Sequence, residues 1–137
     1  FHTVDGGKTW DKKTVADSTL FGIALDKHGN GLAVGIDGTV LRTNDNGENW
    51  VKSTISKESL YSVELSSEGA IIVGDAATVF IAPMKADGSG QIEESWKAIE
   101  TPADMRANWL NCVAKPNGNR YIVAEPGGPY PLSRVSN

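Results

Sequence analysis

An eight-residue phrase occurs twice, as Thr3-Val4-Asp5-Gly6-Gly7-Lys8-Thr9-Trp10 and as Thr43-Asn44-Asp45-Asn46-Gly47-Glu48-Asn49-Trp50, and the residues after each copy repeat in step. Leu20-Phe21-Gly22-Ile23-Ala24-Leu25, Gly29, Leu32-Ala33-Val34-Gly35 and Thr39-Val40-Leu41-Arg42 are answered by Leu60-Tyr61-Ser62-Val63-Glu64-Leu65, Gly69, Ile71-Ile72-Val73-Gly74 and Thr78-Val79-Phe80-Ile81. A worn third copy runs through Trp96, Leu110-Asn111-Cys112-Val113, Gly118 and Tyr121-Ile122-Val123-Ala124. A period of about 40 residues makes the chain an array of one supersecondary unit, because so short a unit cannot bury its apolar face alone and must stack on its neighbours.

The units read as short antiparallel strands. Runs of roughly four to six apolar residues, rich in Val, Ile, Leu and aromatics, are separated by clusters of Gly, Asn, Asp and Ser. An inner strand is expected over Phe21 to Leu25, Tyr61 to Leu65 and Leu110 to Ala114, followed by turns at Lys27 to Asn30, Ser66 to Gly69 and Lys115 to Asn119. A second strand ends at Gly35, Gly74 or Ala124, a third covers Val40 to Thr43 or Val79 to Ala82, and a fourth begins near Trp10, Trp50 and Trp96. Four strands in a unit of roughly 40 to 50 residues are a β-propeller blade. The expected fold class is therefore all-β: one domain over residues 1–137, with three permuted blade-equivalents at about 1–43, 44–83 and 84–137.

Charge and composition narrow the partners. With 13 Lys and Arg against 17 Asp and Glu, the chain carries a net charge of -4, and phosphate recognition needs clustered basic residues, so no nucleic acid is expected. The apolar runs fall far short of the roughly 20 residues a spanning helix requires, so no membrane insertion is expected. Cys112 is the single cysteine, which rules out an intrachain disulfide, and its place in an inner strand predicts a core residue. His2 and His28 fall in different units, and no cluster has metal-ligand spacing, so neither a metal nor a cofactor is expected. No Ser/His/Asp arrangement or phosphate loop is readable, and no catalytic residue is assigned.

The phrase resembles the Asp-box, or BNR, motif Ser/Thr-x-Asp-x-Gly-x-x-Trp, through Thr3, Asp5, Gly7 and Trp10 and again through Thr43, Asp45, Gly47 and Trp50. The run from Gly35 to Trp50 is similar to the repeats of the photosystem II assembly factor family and its bacterial relatives. The resemblance covers almost the whole chain, but in the third unit the box is replaced by the longer Asp87-Gly88-Ser89-Gly90-Gln91-Ile92-Glu93-Glu94-Ser95-Trp96. It implies a propeller fold, a non-enzymatic binding or assembly role, and an exported setting, whether periplasmic, lumenal or secreted.

The physics of the box points to structure. A short carboxylate accepts hydrogen bonds from its own turn, the glycine takes a positive φ, and the tryptophan buries beneath the hairpin. A calcium loop fails on register, since with Gly47 at the sixth position Arg42 would stand at the first ligand site and Ser53 at the twelfth, where a bidentate Glu belongs.

Candidate binding residues lie elsewhere. Asp37, Asp75 and Glu125 each follow the second strand of their unit, which brings them to equivalent turns on one propeller face. The loop from Thr101 to Asn108, with Met105, Arg106 and then Trp109, reaches the same mouth, and loops on a rigid scaffold often carry function. The plain reading is that acids suit β-turns. Arg42 and Arg134 align on third strands and would form a positive stripe or stand as solvated strand residues.

Three blades do not close a ring, since propellers typically hold about four to eight. Completion is expected from a homodimer, in which two chains form a six-bladed ring and the segment after Trp10 supplies the partner's last outer strand, or from missing blades of a longer chain. Two functions follow: a binding or assembly module for a protein or small ligand, or a glycoside hydrolase using two of Asp37, Asp75 and Glu125. Sialidase chemistry would need an arginine cluster and a tyrosine nucleophile, roles for which Arg106, Tyr130 and Glu125 are too scattered.

Overall fold

The computed structural model describes residues 1–103 and 109–114, together with the backbone of residues 120–125 and 128–133. Three antiparallel sheets follow one another. The first has strand order β1 (Leu20–Leu25), β2 (Gly31–Gly35), β3 (Thr39–Thr43) and β4 (Val51–Thr54). The second repeats it with β5 (Leu60–Ser66), β6 (Gly69–Gly74), β7 (Val79–Pro83) and β8 (Lys97–Ala98). The third runs β9 (Cys112–Ala114), β10 (Arg120–Glu125) and β11 (Gly128–Ser133), with β10 in the middle.

Each sheet is a meander whose turns are dictated locally. Between β1 and β2, the Asp26 carboxylate accepts the N–H groups of His28 at 2.7 Å and Asn30 at 2.9 Å, closing an Asx turn. At the other end β2 and β6 finish on Gly35 and Gly74. A Cβ on either would lie 2.1 Å from a carbonyl oxygen, of Thr19 and Ser59 respectively, so only glycine admits the chain there.

The sheets stack through alternate faces. Leu32, Val34 and Val40 of the first join Leu60, Val63, Ala70, Ile72 and Ala82 of the second in one cluster. On the opposite face of the second sheet, Ile71, Val73 and Val79 pack on Leu110 and Val113. Every residue of β6 is consequently buried, which explains its unbroken apolar run: a strand covered on both faces loses the polar alternation. Burying each such Ile or Val stabilises the array by about 1.5–3 kcal/mol.

The first sheet's other face is half open. There Ala33 and Leu41 are buried, but Ile23 is 62% exposed and Leu25 47%. They line a cleft of about 310 Å³ shared with Phe1, Trp10, Val15 and Trp50. The first phrase forms a small hairpin over this cleft, held by a single bridge between His2 and Asp11. The strand expected near Trp10 is thus reduced to that bridge, and Trp10 is 58% exposed rather than buried, since no sheet lies beneath its turn among the described residues.

The long insertion of the third unit is a strap between the first two sheets. Met84 bridges Ile92, Ile92 is buried in the shared core, Asn30 Nδ2 donates to the Ser89 carbonyl at 3.4 Å, and Arg42 Nη2 lies 2.7 Å from Glu94 Oε1.

Two expectations are corrected. Cys112 is exposed: Val113 takes the inward place on β9, and strand alternation turns Cys112 outward. Arg134 is not the counterpart of Arg42. Since Gly22 and Cys112 hold the same repeat position, their partners Val34 and Ala124 correspond, and so do Val40 and Pro129. Pro131 therefore stands where Arg42 stands, while Arg134 lies outside the described residues, as does the turn expected over Lys115 to Asn119.

Candidate functional site at the mouth of the blades

The two ends of each sheet differ in chemistry. At one end lie the loops between third and fourth strands, which hold the repeated phrases. The Thr3 and Thr43 hydroxyls donate to Asp5 at 2.9 Å and Asp45 at 2.8 Å and accept the N–H of Gly7 at 2.9 Å and Gly47 at 3.0 Å. The carboxylates accept the backbone N–H of Thr9 at 3.0 Å and Asn49 at 2.9 Å, and the side chains of the same residues at 2.7 and 2.8 Å. Gly7 and Gly47 take φ of 89° and 83°, and the indole N–H of Trp10 and Trp50 donates to their carbonyls at 3.0 and 2.9 Å. The backbone N–H of Thr9 or Asn49, and then its side chain, holds Asp5 and Asp45 at a pKa of about 2. These groups are spent on their own turn.

The other end is the mouth. There the inner strands begin, and two one-turn 3-10 segments, Ile36–Gly38 and Asp75–Ala77, join second to third strands. Ile36 donates to the Thr19 carbonyl at 3.0 Å and Asp75 to that of Ser59 at 2.9 Å, while Leu110 donates to Gly74 at 2.9 Å, tying the third sheet to the same rim.

The inner strands carry one device twice. In β1 the register passes from Leu20–Gly35 to Gly22–Val34, and in β5 from Leu60–Gly74 to Ser62–Val73, so Phe21 and Tyr61 are the extra residues of matching β-bulges. A bulge re-aims the side chain it carries. Phe21 and Tyr61 meet with ring centroids 5.2 Å apart at 57°, and Tyr61 meets Trp109 at 6.4 Å and 56°. Phe21 is 48% and Trp109 56% exposed. Partial burial, and then the hydrogen bond between its hydroxyl and the Asp75 carboxylate, pushes the Tyr61 phenol up.

The structure separates the residues that the sequence grouped. Asp37 is the exposed second residue of its turn, at φ 52°. Asp75 is the half-buried first residue of its own, so the left-handed place falls to Ala76 at φ 51°. Glu125 ends β10, at the register place of Gly35 and Gly74. The three acids thus occupy three successive positions of related turns. Trp109 joins the aromatic row, Arg106 lies outside the described residues, and Arg42 is at the phrase end, paired with Glu94. Among the described residues no group of three His, Cys, Asp or Glu is placed to hold a metal ion.

Phe21 and Tyr61 were not singled out by sequence reasoning, although a signal existed. Leu60 and Val63 are both apolar at a spacing of three, and only a bulge returns them to one face of a strand.

No protein-family model matches the chain, and no curated protein does. Solved structures do. YCF48 bound to D1 peptide superposes with a TM-score of 0.69 at 19% identity, over 83% of this chain and 37% of that one. YCF48 from Cyanidioschyzon merolae gives a TM-score of 0.69 at 22% identity, over 87% of this chain and 39% of that one. The chain spans less than two fifths of the length of these structures. What it shares with them at such identity is the fold, and its four-stranded antiparallel sheets are β-propeller blades of the kind found in YCF48.

Proposed function

We propose that the chain is a non-enzymatic, protein-binding arc of an Asp-box propeller, and that a peptide segment of the partner lies across the mouth. The observation that carries this reading is the row Phe21–Tyr61–Trp109, which two matching bulges hold partly exposed at the mouth. Exposed aromatics on a rigid scaffold supply contact area at low entropic cost. YCF48, of the same fold, has been solved with a D1 peptide. The stagger of Asp37, Asp75 and Glu125 weighs against the facing acid pair that glycoside hydrolysis needs. The test is retention of the full chain on immobilised peptide libraries. Saturable retention lost in Phe21→Ala supports the reading, and retention unchanged in that variant refutes it.

Further blades complete the ring. They join by stacking, not by a strand added to β11. The two-residue connection between Glu125 and Gly128 makes those residues a hydrogen-bonded pair, so Pro129 and Pro131 direct their nitrogens to the open edge, where they offer no N–H. Light scattering across a dilution series reads the completion in a second copy as twice the chain mass. A stable monomer without further blades would refute closure.

A further inference from the structure

We propose that the aromatic row recognises a cationic side chain of the bound peptide, arginine or lysine, with Asp75 as its counter-charge; this rests on reading the mouth as a peptide-binding surface. Ile23 and Val63 belong to the blade faces, but the bulges take Phe21 and Tyr61 out of that alternation. The rings are inclined at 57° and 56° rather than stacked, so each pair leaves part of a ring face open. A ring face carries the negative part of the quadrupole and attracts cations.

Among the described residues the acids of the mouth turns have the matching sign, while Lys52 Nζ is bonded to the Ser18 hydroxyl beside the rim at 2.6 Å. The two mouth turns, Ile36–Gly38 and Asp75–Ala77, contain Asp37 and Asp75 and no Lys or Arg. Lys57 and Glu58 stand side by side in the link from β4 to β5, and Asp17 precedes β1. Asp75 is the acid beside the row, since Gly74 pairs with Leu60 and the Asp75 N–H donates to the Ser59 carbonyl at 2.9 Å, which brings its carboxylate to Tyr61, and a carboxylate has lone pairs for more than one donor. A guanidinium or ammonium group over Tyr61 and Trp109 would use those lone pairs and the ring faces together. An acidic or phosphorylated side chain would meet like charge. Arg42 does not alter this balance, being paired with Glu94 at the opposite end.

The experiment uses the full chain and immobilised peptide libraries, randomised except for a fixed centre of Arg, Lys, citrulline, Leu or Asp. Citrulline keeps the shape of arginine without its charge. Arg- and Lys-centred libraries should retain about fivefold to tenfold more chain than the citrulline library. Asp75→Asn should bring the Arg signal down to the citrulline level, while Tyr61→Phe, which keeps the ring and frees the carboxylate, should preserve the Arg preference. Equal retention on Arg, citrulline and Leu, still abolished by Phe21→Ala, would overturn the cation assignment and leave the peptide-binding mouth standing. Retention on none of the libraries would remove both.

Discussion

The stacking of the blades makes one position behave differently in two repeats. Ile23 and Val63 correspond, facing Ala33 and Ile72 across their sheets. Val63 is 6% exposed and sits in the cluster between the first two sheets, whereas Ile23 is 62% exposed on the open cleft. Val63→Ala removes two buried carbons at about 0.8 kcal/mol each and leaves a small cavity, for a loss of about 2 kcal/mol. Ile23→Ala removes three carbons, but with more than half of the side chain already in water it should cost about 0.5–1 kcal/mol. Urea unfolding of the two variants, compared by midpoint at constant slope, measures the difference. If Ile23→Ala were as damaging as Val63→Ala, the open face would be covered in solution, and the half-open arrangement of the first sheet would be wrong.

Other consequences follow from the same geometry. Because Asp5 and Asp45 are held at about 2, below the ordinary 3.8, the stabilisation they give is complete above about pH 4 and fades as pH falls through about 2; carboxyl chemical shifts should titrate there, and midpoints near 4 would refute the turn's hydrogen bonding. Gly74→Ala places a Cβ 2.1 Å from the Ser59 carbonyl oxygen and should cost about 2–3 kcal/mol in denaturant midpoint, while a neutral result would deny the close approach. The Arg42–Glu94 pair, with side chains 29% and 73% exposed, should contribute no more than about 1 kcal/mol in a double-mutant cycle and less in salt. Cys112, being exposed, should react with a thiol reagent in the native state, and protection until unfolding would return it to the core.

The repeat, the strand order and the all-β class were legible in the sequence because each rests on local physics. Thr3, Asp5, Gly7 and their counterparts satisfy one another within a few residues, so their spacing alone carries the turn. The candidate site was less legible. Distance from the second strand groups the acids, but in a turn three residues long a shift of one residue changes the place a side chain takes, and Asp37 and Asp75 fall on different ones. Cys112 was assigned inward from its strand without the strand's phase. Phase is set by the neighbouring sheet, and it is Val113 that meets Ile71 and Val73. Arg42 lies beside Glu94 as His2 lies beside Glu48 one repeat earlier, each acid two residues before its tryptophan, a contact between repeats that the pattern within one unit does not show.

The two ends of a blade are under opposite demands. At the phrase end the Thr and Asp side chains and the indole N–H are bonded inside the same eight residues, which makes the turn stable and leaves those groups little for a ligand. At the mouth the bulges spend backbone regularity to hold aromatic rings in the open, a cost that a merely structural end would avoid. The third unit supports this division from the other side. Having lost the phrase, it keeps Trp96 packed against the core shared by the first two sheets and reaches to the first sheet through Ile92, Ser89 and Glu94. A unit whose turn no longer satisfies itself must draw its order from its neighbour, so replacing Ile92 should loosen two blades at once, whereas replacing Asp45 should loosen one turn.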